Sequence, residues 1–201
     1  MHGVQYYEHM NEKSNTRTIK HIIFPTNELK ILSFFTLHPD ESFHVRELSR
    51  RTKLSLGGTN KALSSLYMQG LLHRKRIGSS LLYTLNRDDL IVRRIGIMSI
   101  LTELMPLKVE LAEFSSLIIL FGSYARGDHT IGSDLDLLIV GIQTEKILEK
   151  IDQFSKERGE DFPDIQAIIR TPAEWMALED LDPVFFSEVS KGISLWDKQK
   201  T

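Results

Sequence analysis

Apolar positions along the chain fall into groups whose period changes from helical to alternating and back. Leu29, Ile31, Leu32, Phe35 and Leu37 lie mostly at helical spacing after Pro25-Thr26-Asn27, and His38-Pro39-Asp40 ends that element. A second short helix is predicted over 44–52, with Val45 and Leu48 inward. Ser55 is a good N-cap for a third helix, which runs to Gln69 and is closed by Gly70. Leu56, Leu63 and Leu66 form its apolar stripe, while Asn60, Lys61 and Ser64 lie off it. Two strand-like runs follow at 71–76 and 81–85, joined by the turn Ile77-Gly78-Ser79-Ser80. A long helical pattern over 88–105 places Ile91, Ile95, Met98, Leu101 and Met105 near one face. Pro106 is expected to interrupt it, with a further helix over 107–114.

The second half alternates differently. Leu117-Ile118-Ile119-Leu120-Phe121 reads as a buried strand between Ser115-Ser116 and Gly122-Ser123. Residues 134–140 predict a second strand, 144–158 a helix with Ile147, Leu148, Ile151 and Phe154 inward, and 164–170 a third strand. Thr171-Pro172-Ala173-Glu174 is a helix start with its cap in place, Pro183 opens a last helix, and Gly192 ends it. The organisation expected is α+β: a tail over 1–24, a small domain over 25–87, linker helices over 88–113 and a second domain over 114–197.

Helix, helix, turn, helix and basic hairpin is an order that resembles the winged helix-turn-helix regulators of bacteria and archaea, over about 27–86. The resemblance implies double-stranded DNA as a partner, with the third helix in the major groove. Asn60, Lys61 and Ser64 are then the base-facing candidates, since Asn pairs bidentately with adenine and Lys reaches guanine or phosphate. Arg74, Lys75 and Arg76 on the wing would meet phosphates, a sequence-blind and salt-dependent contact. The competing reading is a module that dimerises or docks protein. Charge adds to the first: the chain has net charge −2, yet 41–94 holds eleven basic and four acidic residues. The remainder holds fourteen basic and twenty-three acidic. A basic module suits a polyanion and an acidic one suits metal ions, although either can be plain solvated surface.

Composition removes several classes. The absence of cysteine excludes disulfides and thiolate metal sites. No apolar run approaches the roughly 18 residues of a membrane span, so no membrane is expected as a partner. The polar stretch over 1–20 lacks a secretory core, which makes the cytoplasm the expected compartment. At 201 residues with 41% hydrophobic residues, the chain suits one large or two small globular domains.

The candidate chemistry lies between the two buried strands. Strand periodicity sends Asp134 and Asp136 to one face and Leu135 and Leu137 to the other. Two carboxylates at i and i+2 stand about 6–7 Å apart along a strand. Their oxygens can converge on divalent ions roughly 4 Å apart, and hard carboxylate oxygens favour magnesium or manganese. Gly122 leaves the backbone open beside them, and Ser123 can begin a short helix whose N–H groups face an anion.

Gly122-Ser123, ten residues, then Asp134-Leu135-Asp136 on an apolar strand resembles the nucleotidyltransferase superfamily that includes DNA polymerase beta. The wording of 121–127 and 133–138 is most similar to the minimal nucleotidyltransferases of prokaryotes. This resemblance covers about 114–196 and implies a small mixed-sheet nucleotidyltransferase fold. By it, Gly122 and Ser123 hold a nucleoside triphosphate, ATP being the first choice. Asp134 and Asp136 bind magnesium or manganese. The family often adds a third carboxylate on a later strand, for which Asp164 is the candidate and Glu160 and Asp161 the rivals. That group would hold a second metal or activate the incoming hydroxyl. Arg126 would neutralise a phosphate or pair with an acid of its own loop. Tyr124 reads as packing, and His129 as a solvated loop histidine.

Two functions follow from these resemblances. One is a magnesium-dependent nucleotidyltransferase whose acceptor is a protein, an RNA end or a small molecule, possible partners being a cognate toxin and a second copy of the chain. The other is a non-catalytic DNA-binding regulator whose nucleotidyltransferase-like domain senses a nucleotide or docks a partner.

Overall fold

A computed structural model of the chain describes residues 19–159 and 161–200. Most of the expected tail, 1–18, and the carboxylate candidate Glu160 lie outside the described residues. The described chain divides into two compact units: one comprises 19–103 and 127–132, the other 104–126 and 133–200.

The first unit begins with the short helix α1 (Ile19–Ile23) and continues through α2 (Asn27–Leu37), β1 (Ser42–His44), α3 (Val45–Thr52), α4 (Leu56–Met68), β2 (Leu72–Ile77) and β3 (Ser80–Leu85). Thr26 caps α2 by accepting the Leu29 N–H at 3.2 Å, and Ser55 caps α4 by accepting the Gly58 N–H at 3.2 Å. The strands form an antiparallel sheet in the order β1-β3-β2. Gly78, at φ 59, supplies the left-handed residue of the two-residue turn between β2 and β3. Ile31, Leu32, Phe35, Phe43, Leu48 and Leu63 are at most 1% exposed and hold helices and sheet together. Helices α2, α3 and α4, the short strand β1 between α2 and α3, and the two-stranded wing β2–β3 make this a winged helix-turn-helix. The short β1 was not expected, since three residues are too few for alternation to register. Leu56 does not join the apolar stripe of α4: it opens the helix and stays exposed, while Thr59, Ala62, Leu63 and Leu66 are buried.

The helix α5 (Leu90–Leu111) runs unbroken through Pro106, against the expectation of two helices. A proline inside a helix costs about 3 kcal/mol. Here Leu104, Leu107 and Leu111 lie at i, i+3 and i+7, all at most 1% exposed, and their burial outweighs that cost. The expected stripe is also displaced. Ile91 and Met98 are exposed, whereas Val92, Ile97 and Ile100 are buried. The helix is apolar on nearly every side, so both stripes satisfy the same period and only packing selects between them.

The second unit contains the C-terminal part of α5, β4 (Ser115–Phe121), α6 (Gly122–Arg126), β5 (Leu135–Gly141), α7 (Thr144–Arg158), β6 (Ile165–Arg170), α8 (Pro172–Leu181), α9 (Pro183–Ser190) and β7 (Ile193–Asp197). Its sheet has the order β6-β5-β4-β7, with β5 and β6 parallel and the other pairs antiparallel. The parallel pair requires a crossover, which α7 supplies. The central strands β4 and β5 are buried on both faces, as an unalternating apolar run dictates. Val189, Trp175 and Phe185 pack against Ile119, Phe121 and Leu138. Thr171 and Glu174 form a reciprocal capping box at the start of α8. Leu148 was expected inward on α7 but is exposed; Ile147, Ile151 and Phe154 are buried. The described chain is thus α+β, a winged helix-turn-helix followed by a small mixed four-stranded sheet with its helices.

Candidate functional site

The site is assembled where β4 ends and β5 begins. The antiparallel register pairs Phe121 with Asp136. The next residue, Gly122, turns the chain into α6 with φ 70, a value that L side chains rarely adopt. A Cβ built on Gly122 would stand 2.2 Å from Asp136 Oδ2. Gly122 is therefore required twice, by its backbone and by the carboxylate lying against it. Leu135 and Leu137, at 0% and 1% exposure, face the interior. Asp136 is half-buried and Asp134 is exposed, just ahead of the strand.

The parallel neighbour places the third candidate. Leu135 donates its N–H to the carbonyl of Asp164 at 2.8 Å, and Asp136 is in register with Gln166. Asp164 thus stands at the strand end beside Asp134, with its side chain exposed. Among the described residues no three Asp, Glu or His side chains stand close enough to form a ready-made metal cluster.

Electrostatics marks the same corner. Asp136 is pushed above the usual carboxylate range, first by burial, then by the charges of Asp134 and Glu188; Arg126 partly offsets them. Tyr124, 4% exposed, is pushed up to about 12 by burial and by Asp134, which fits a packing residue. Arg126 lies 3.9 Å from Glu188 of α9, an acid from another element than its own loop. Arg126, Glu188 and Lys191 line a cavity of about 580 Å³ that opens beside Gly122 and Ala125. That volume suits a small organic ligand. Glu188 and Lys191 were not singled out in the sequence, where they are two ordinary charges, one near the end of α9 and one just after it.

His129 is not a solvated loop residue. It is 5% exposed, and its Nε2–H donates to the Thr36 carbonyl at 2.8 Å. Around it, Arg87 donates to the His129 carbonyl at 2.8 Å, and Asp40 accepts the Ile131 N–H at 2.7 Å while pairing with Arg87. Short-range pattern does not reveal such burial, because partners at 36, 40 and 87 lie far away in sequence.

The nucleic-acid candidates lie on the winged helix. Asn60 and Lys61 are exposed on α4 and Ser64 is half-buried. In β2 every residue after Leu72 is exposed, so Arg74, Lys75 and Arg76 all reach solvent. The Arg74 guanidinium sits 4.1 Å from the centre of the Tyr67 ring and so ties the wing to the helix before it.

The described chain joins a winged helix-turn-helix to a small mixed-sheet unit whose β4–β5 corner carries the Asp134 and Asp136 carboxylates. Residues 99–186 match the family model described as a nucleotidyltransferase domain. A 24-residue stretch is 79% identical to a putative protein adenylyltransferase of Methanocaldococcus jannaschii; it amounts to 12% of this chain and 24% of that protein. Among solved structures, a possible transcriptional regulator from Methanosarcina mazei Go1 is similar, with 22% identity and a TM-score of 0.31 over 48% of this chain and 84% of its own. A mutant of Lactococcus lactis ZitR in complex with DNA is similar with 15% identity and a TM-score of 0.36, over 55% of this chain and 77% of its own. Among the described residues no helix is long and apolar enough to cross a membrane.

Proposed function

We propose that the protein is a nucleotidyltransferase, with ATP as the preferred donor, whose winged helix binds double-stranded DNA. The observation that carries the reading is the fit of Gly122 against Asp136: a side-chain-free corner packed on a half-buried carboxylate. The match of 99–186 to the nucleotidyltransferase family supports it.

The donor set fits a divalent cation. Asp134 and Asp136 offer hard oxygens, and a cation would offset the burial and the neighbouring negative charges that raise Asp136. Bound magnesium or manganese would neutralise charge on the triphosphate. Gly122 and Ser123 receive the phosphate tail at the start of α6. Arg126 and Lys191 supply positive charge in the adjoining cavity. An acceptor hydroxyl oxygen forms a bond to the α-phosphorus, the bond from that phosphorus to the bridging oxygen breaks, and pyrophosphate leaves with the electron pair. The hydroxyl proton passes to a carboxylate of the site, the role assigned to Asp164 with Asp161 as its remaining described rival.

The name of the Methanocaldococcus relative favours a protein as the acceptor. A protein partner of the antitoxin–toxin kind, which would be modified by this chain, is the form we favour, with operator binding by the winged helix beside it. The test is transfer of label from [α-32P]ATP with magnesium to a partner protein encoded beside it. Asp134→Asn with Asp136→Asn should abolish labelling while the fold persists. Full labelling by that double variant would overturn the site.

A further inference from the structure

The first unit contains a second cavity, of about 390 Å³, between α1, α2 and the turn that follows α3. It is of ligand size. Among the described residues its ionisable lining is basic, Lys20, His21, Lys30, Arg51 and Lys53, with no acid. Its apolar part comes from Phe24, Phe34 and Leu54.

The basic groups are not equivalent. Arg51 is held in place: its guanidinium lies over the Phe34 and Phe43 rings at 4.8 and 5.2 Å and contacts His38 Nε2 at 3.1 Å. Glu41 and Glu47 approach it at 3.8 and 4.0 Å. Lys20 pairs with Glu103. Lys30 and Lys53 have no ion-pair partner among the described residues, so their charge is available to a ligand. Lys53 also adopts φ 56, the one positive value among the described non-glycine residues. Glycine would take that position without strain.

Ser33 provides an independent observation. It lines the same cavity from the middle of α2 and is 2% exposed. Its hydroxyl is buried and has no hydrogen-bond partner among the described residues. A mid-helix serine ordinarily returns its hydroxyl to a carbonyl one turn back. A buried hydroxyl left unsatisfied is costly, and a polar atom of a bound molecule would satisfy it.

We propose that this cavity is an effector site for a small organic anion: a carboxylate or phosphoester head between Lys30 and Lys53, hydrogen-bonded to Ser33, on an apolar or ring body resting on Phe24 and Leu54. The site lies wholly within the winged-helix unit and is independent of the nucleotidyl-transfer reading.

The experiment is calorimetric titration of the full chain with phenyl phosphate, benzoate and neutral benzyl alcohol, with thermal unfolding in parallel. Phenyl phosphate or benzoate should bind more tightly than about 1 mM, and which of them binds identifies the head group. Benzyl alcohol should not compete. Lys30→Ala and Lys53→Gly should each weaken binding about tenfold. Ser33→Ala and Lys53→Gly should raise the unfolding midpoint of the free protein while shrinking the shift the anion produces. A merely structural role would not give these opposite signs. Three results would overturn the proposal: no anion bound up to about 10 mM, benzyl alcohol binding as well as the anions, or variants that bind like the parent. A loss of duplex affinity in the variants with anion binding unchanged would make the lysines phosphate contacts of DNA and would equally overturn it.

Discussion

Gly122 and Asp136 touch across the end of the β4–β5 pair so closely that no side chain fits between them. Gly122→Ala therefore meets two penalties, a left-handed backbone and a clash with a carboxylate. It should lower stability by about 2 kcal/mol or more, read by urea unfolding, and abolish pyrophosphate release from ATP. Gly132→Ala is the control. It shares the positive φ, at 77, but has nothing within 4 Å of its added carbon, so its loss should be about 1 kcal/mol.

Asp136 gives a pH-dependent prediction. Its pKa is raised in the folded state, so on acidification the native protein takes up a proton before the unfolded chain does. Its ionisation therefore opposes folding above the raised value, and that cost disappears as pH falls through it. Asp136→Asn should raise the thermal midpoint at pH 7, with the gain vanishing below the ordinary carboxylate range. In the parent protein, magnesium or manganese should raise the midpoint at pH 7 by mass action. Asp134→Asn with Asp136→Asn should remove that cation response.

His129 should act with the opposite sign. Burial holds it below the ordinary imidazole range, against the Thr36 hydrogen bond that favours its charged form. Its contribution is present above the unfolded imidazole value and is lost as pH falls toward the lowered one. Thermal midpoints between pH 8 and pH 5, on the order of the span over which an imidazole titrates, should fall more steeply in the parent than in His129→Gln.

On DNA, the wing and the helix should separate. Replacing Lys75 or Arg76 with Ala should weaken all duplexes alike and reduce the salt slope by about 1 per phosphate contact. Asn60→Ala should cost about 1–3 kcal/mol on the preferred sequence only. Arg74→Ala should also lower the thermal midpoint, because its guanidinium stacks on Tyr67. Fluorescence anisotropy at several salt concentrations reads the binding effects.

Local signals in the sequence carried much of this architecture. Caps at Thr26, Ser55 and Thr171, glycines at 70 and 78, and the unalternating run over 117–121 act within a few residues, and the folded chain uses them where pattern places them. The Gly122-Ser123 and Asp134-Leu135-Asp136 corner was legible for the same reason, as a turn and an i, i+2 pair. What was not legible depends on distant partners. The buried face of α5, the passage of that helix through Pro106 and the burial of His129 are decided by residues far off in the chain. The same holds for Glu188 and Lys191, which reach the cavity beside Gly122 only once α9 packs on the sheet.

The six residues 127–132 sit in the first unit although the chain on either side of them belongs to the second. The winged helix is therefore a discontinuous module, and no single cut releases it whole. A fragment stopped anywhere before residue 127 would forfeit the imidazole that fills the space by Thr36 and the amide that Asp40 receives. Excision, shuffling or transplantation of this unit would have to carry this borrowed hexapeptide along, or supply something in its place.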